Sequence, residues 1–117
     1  MAGLRSIVLA DVKSVQNERT GDREKRVQSA RIFVCWVDVV GIATAQVGQS
    51  QGFCLSLSVE IPRYVYRSEK YLYFDGALYE VKMLSKAKAP TNLLLNVQAL
   101  NDEVTKKAVE DWMHENL

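Results

Sequence analysis

The chain has 117 residues, with fifteen basic side chains against fourteen acidic ones and 48% apolar composition. A length of this order holds one domain that can bury a core without metal or disulfide staples, and these apolar and charged fractions exclude wholesale disorder. The net charge of +1 excludes a strongly basic nucleic-acid binder, although a local basic patch survives inside a neutral total.

The opening residues Met1-Ala2-Gly3-Leu4-Arg5-Ser6 do not read as a signal peptide. The apolar run after them, residues 7–10, is shorter than the roughly seven residues an h-region needs. The longest apolar run, residues 32–37, is far below the roughly 18 needed to cross a bilayer. No membrane contact is expected, and the default location is cytosolic or inside a virion. Cys35 and Cys54 sit in apolar segments and form no C-x-x-C pair. They are expected to be buried, reduced and structural.

Residues 6–15 are rich in Ile, Val and Leu and predict a first strand. Residues 16–26 hold no apolar side chain and seven charges, which predicts a long exposed loop or flexible arm over 16–30. Residues 31–40 are apolar on both alternating faces, as in a central strand covered on both sides. Residues 41–52 carry three glycines and small polar residues, predicting a Gly-rich loop with at most a helical turn at 42–47. Phe53, Leu55, Leu57, Val59 and Ile61 alternate with polar or small residues up to Pro62, the cleanest strand period in the chain.

Two hairpins follow. The first joins residues 64–66 to 70–74 through Arg67-Ser68-Glu69; the second joins that strand to residues 77–84 through Asp75-Gly76. An Asp-Gly pair between β-rich runs signals a type I′ turn, which needs positive φ at both residues. After a turn at Pro90-Thr91-Asn92, a last strand begins at Leu93. Val104, Ala108, Val109, Trp112, Met113 and Leu117 then fall at helical spacing over 102–117, with Asn101 as the expected N-cap. Such a helix must dock, either on its own barrel or on a neighbouring subunit. The fold expected is mainly β: a small antiparallel barrel or sandwich of six to seven strands with long loops and a C-terminal α-helix, spanning 1–117 as one domain.

No catalytic constellation is visible. His114 is alone on the tail helix, Ser56 and Ser58 lie on a strand without a nucleophile elbow, and no phosphate-cradling Gly motif occurs. No enzyme activity, cofactor or metal is expected. Tyr64, Tyr66, Tyr71, Tyr73 and Tyr79 lie within sixteen residues, among Arg63, Arg67 and Lys70. On an exposed face they would stack bases, as in an OB-like barrel binding single-stranded nucleic acid. The simpler reading is cross-strand pairing that stabilises the sheet.

The order of parts over residues 31–100 resembles a known family. It comprises the apolar strand from Arg31 to Val39, a small-residue stretch with Ala43, Ala45 and Gly48, and the strand ending at Ile61. These are followed by an aromatic hairpin unit with Asp75-Gly76 and Tyr79-Glu80-Val81, and by the closing strand from Leu93. Together they look like the small head–tail connector proteins of long-tailed bacteriophages, called head-closure, stopper or head–tail joining proteins. The helix from Asp102 and the long basic arm depart from that pattern. The resemblance implies a structural virion protein. It would be the subunit of a homo-oligomeric ring at the head–tail interface, assembled in the host cytoplasm, monomeric before docking, and partnered by portal, adaptor and tail proteins. Its loops would help close the DNA channel, with the arm free to contact packaged DNA. On this reading Arg19, Arg23, Lys25, Arg26, Val47, Gly48, Gln49 and Trp112 are the candidate assembly residues. Residues 19–31 carry five basic and two acidic side chains, and residues 102–117 two basic and five acidic. That contrast would let one subunit's arm meet another's tail.

Overall fold

Six antiparallel strands close into a barrel, and each is set by how its side chains divide between inside and outside. A computed structural model of the chain describes residues 3–16 and 18–117. Met1 and Ala2 of the chain start, Asn17 of the polar stretch, and the side chains of residues 42 and 43 lie outside the described residues. The strands are β1 (Gly3–Gln16), β2 (Arg23–Val39), β3 (Leu55–Pro62), β4 (Tyr71–Phe74), β5 (Ala77–Lys86) and β6 (Asn92–Ala99). The helices are α1 (Ile42–Ser50) and α2 (Glu103–Asn116). The ring order is β1-β2-β3-β6-β5-β4, closed by Val8, Leu9 and Ala10 of β1 against Tyr73, Leu72 and Tyr71 of β4. Closure removes the free edges that an open sheet exposes.

Period-two alternation sorts the core. Ile7, Leu9, Cys35, Val37, Val59, Ile61, Leu72, Leu95 and Val97 point inward and are buried together. Val8 and Ala10, one residue out of phase, point outward and are buried with Leu78 beneath Val109 of α2. The tail helix therefore covers its own barrel, which settles the alternative left open by its sequence. Its N-cap is Asp102, one residue after the expected Asn101: Asp102 accepts from the Thr105 backbone N–H at 3.1 Å and from the Thr105 hydroxyl at 2.7 Å. At the β4–β5 turn, Asp75 (φ 52°) and Gly76 (φ 76°) both have the positive φ that the type I′ reading requires.

Five expectations need correction. Most of residues 16–30 is strand: β1 runs to Gln16 and β2 starts at Arg23, with a turn between them. A stretch with no apolar residues cannot form a core, but cross-strand backbone hydrogen bonds can hold it as a ribbon whose base alone, at Val12 and Val27, packs against the cluster under α2. Residues 41–52 are mostly helix, because Ala, Gln and Thr tolerate the conformation and no proline interrupts it. Residues 64–66 are not a strand. A 3₁₀ turn spans Arg63–Val65, since Pro62 ends β3 and the following segment folds inward around Glu69. Residues 31–40 are covered on one face only. Cys54 is exposed, whereas Cys35 is buried and desolvation pushes its thiol up to about 11.

Candidate assembly interface

The outer wall of β1 and β2 has two halves with different fates. Over Val8 and Ala10 it is roofed by α2. Beyond the helix, Ile32, Val34 and Trp36 face outward from β2, and Leu4 and Ser6 stand opposite Trp36 and Val34 on β1. Their exposures are 43% for Ile32, 69% for Val34, 53% for Trp36 and 58% for Leu4. Four large apolar side chains this open, side by side, leave roughly 400 Å² of apolar surface, the size of the largest patch on an ordinary monomer, which is often functional. The strip continues past Ile32 into an apolar groove of about 270 Å³ edged by Tyr73, Met113 and Leu117 at the C-terminal end of α2. Its other end is acidic. Glu60 pairs across from Trp36 on β3, and Asp38 follows two residues on with an exposed side chain.

The same two strands continue past the barrel in the other direction. Beyond the bulge near Asp11 and Val12, five cross-strand pairs run from Val12–Val27 to Gln16–Arg23. Neither β3 nor β4 pairs with these residues, so they form a two-stranded ribbon roughly 17 Å long at about 3.4 Å per residue. Residues 13–26 carry five basic and three acidic side chains. The ribbon gives the molecule its long axis, with extents of 50 × 31 × 24 Å.

The residues singled out from sequence fall into two separate places. Lys25, Arg26 and Trp112 come together, lining a cleft of about 520 Å³ between the ribbon base and α2, with Asp111 and Glu115 on the helix side. The basic arm and acidic tail thus already meet within one chain. Arg23 lies at the ribbon tip and Arg19 in the turn beyond it. Val47, Gly48 and Gln49 lie on α1, which packs over β3. Gly48 is buried there: a Cβ would meet Leu55 Cδ1 at 2.6 Å, so this glycine serves close packing of helix on strand. Val47 and Gln49 remain exposed.

The tyrosines are dispersed. Tyr71 and Tyr73 pack under α2, Tyr66 and Tyr79 pack against the barrel core, and only Tyr64 stands free, 85% exposed. Tyr73 donates to Glu110 at 2.8 Å; burial first, then this carboxylate, push its phenol up to about 12. They present no shared stacking platform to a nucleic acid.

One end of the barrel is plugged by a polar network. Arg31 Nη2 donates to Glu69 Oε2 at 2.6 Å and to the Val65 carbonyl at 2.7 Å, while Arg31 Nε donates to Glu69 Oε2 at 2.9 Å. The Arg67 backbone N–H donates to Glu69 Oε1 at 2.9 Å, and the Tyr66 hydroxyl donates to the Glu69 carbonyl at 2.9 Å. Glu69 is only 2% exposed. Burial first, then the Glu69 charge, push the Tyr66 phenol up to about 12. At the other end a cleft of about 460 Å³ opens among Arg5, Asp38, Phe74 and Asp75.

Sequence reasoning missed Leu4, Ile32, Val34 and Trp36. Their signal was present, a strand apolar on both faces, but it reads the same whether a second layer comes from this chain or from another. No helix among the described residues is long and apolar enough to cross a membrane. No family model and no curated protein matches the chain.

Proposed function

We propose that this protein is a structural assembly subunit, a head–tail connector of a long-tailed phage that joins portal and tail as one member of a ring around the DNA channel. The observation that carries the reading is the uncovered apolar wall of Leu4, Ile32, Val34 and Trp36 on a barrel that is otherwise closed and filled. A barrel that only had to fold would place polar residues there, as half-solvated antiparallel strands do. The projecting ribbon and the resemblance in the order of strands and turns support the same reading. A ring subunit needs side surfaces for its neighbours and extensions that reach above or below it, and it needs no catalytic group.

The test is electron microscopy of the purified protein incubated with a portal protein from the genome that encodes it. A ring stacked on the portal is the expected result. A portal that stays bare at saturating protein would remove the connector assignment.

A further inference from the structure

We infer that the apolar wall of one copy is covered by the projecting ribbon of a second copy, in a head-to-tail contact. This rests on the assembly reading above and names the partner of its surface.

Two features of the chain are unsatisfied, and they lie on the same two strands. The wall, at Leu4 and at Ile32, Val34 and Trp36, exposes apolar side chains with an acidic flank at Glu60 and Asp38. The ribbon, beyond Val12 and Val27, has two unpaired edges and a net basic character. A two-stranded ribbon alone in water is marginal, and open strand edges invite a partner. Lys13, opposite Arg26 near the ribbon base, and Arg23, in its last pair, are exposed and offer charge of the sign that the wall's flank lacks.

The contact cannot form within one chain. Ribbon and wall are opposite ends of continuous strands, and Val34 and Arg23 are separated by eleven residues of β2, roughly 37 Å. Only the ribbon of another molecule can lie on the wall. A contact between two different surfaces is heterologous, so repetition yields a closed ring or an open filament rather than a two-fold dimer.

Two variants of the full chain separate the possibilities. Val34→Glu blocks the wall at an exposed position. Lys13→Glu combined with Arg23→Glu reverses the ribbon charge, again at exposed positions. Sedimentation equilibrium of the wild type to about 1 mM is expected to show concentration-dependent self-association, weakened at least tenfold in each variant. Mixing the two variants gives the decisive result: an intact ribbon on one and an intact wall on the other leave one working contact, so a 1:1 dimer forms although each variant alone is monomeric. A monomeric wild type, a ribbon variant that associates as the wild type does, or a mixture that stays monomeric would each overturn the inference. Loss of portal binding with this self-association retained would instead overturn only the connector assignment.

Discussion

Glu69 shows what one side chain can hold together. Its carboxylate is almost fully buried, yet it accepts from Arg31 and from the Arg67 backbone N–H, so its charge is matched inside the barrel end. Arg31 also stacks over Phe33, 4.9 Å from the ring centroid. Replacing Glu69 with Ala leaves the guanidinium facing a cavity and frees the segment after Pro62. The expected loss is roughly 2–4 kcal/mol, toward the lower side of breaking a buried pair because Arg31 is partly solvated. Urea unfolding checks this; an unchanged midpoint would mean the plug contributes nothing to the fold. No sequence signal paired Arg31 with Glu69, because they are 38 positions apart and their meeting depends on barrel closure. Asp75-Gly76 was legible for the opposite reason: the turn is decided by the φ preferences of two adjacent residues. Gly48 falls between these cases. Its helix is local, but the need for glycine comes from Leu55 on another element, so Gly48→Val should destabilise by about 1–3 kcal/mol through overpacking. Thermal unfolding with no downward shift would contradict that.

At the scale of elements, α2 is the best-determined piece. Its apolar spacing and acidic first turn are visible in sequence, and the side-chain cap at Asp102 fixes its start. Thr105 donates from both hydroxyl and backbone to the Asp102 carboxylate, and these bonds hold its pKa below the ordinary value. A depressed folded pKa means the stabilisation is present above the unfolded value of about 3.9 and is lost as pH falls through the folded value. Asp102→Ala should therefore cost about 1 kcal/mol at neutral pH, and the gap from wild type should narrow as pH drops below about 4. Melting curves across that range provide the check; a gap that stays constant down to acid pH would assign the loss to packing instead. The ribbon of β1 and β2 is the least legible element. Beyond its base, where Val12 and Val27 pack under α2, its residues are mostly polar, and polarity by itself does not tell a ribbon from a loop.

For the whole molecule, protection should follow closure. The barrel strands share ladders on both sides, while the ribbon pairs only with itself and both its edges meet water. Amide exchange should be slowest at Leu95 and Val97, in the barrel centre, and fastest between Val12 and Gln16 and between Arg23 and Val27. Mass-spectrometric exchange that found the ribbon as protected as β6 in the isolated chain would show that it is already docked.

The strands with a clean period, the Asp-Gly turn, the amphipathic tail helix and the mainly β class are legible in the order of residues, because each depends on neighbours a few residues away. The packed fold alone reveals that the sheet closes, that α2 roofs half of one wall, and that Glu69 is buried against Arg31. It also places Ile32, Val34 and Trp36 facing outward and exposed. Those outcomes depend on which surfaces meet across the barrel, and alternation records only that a face is apolar, never which molecule will cover it.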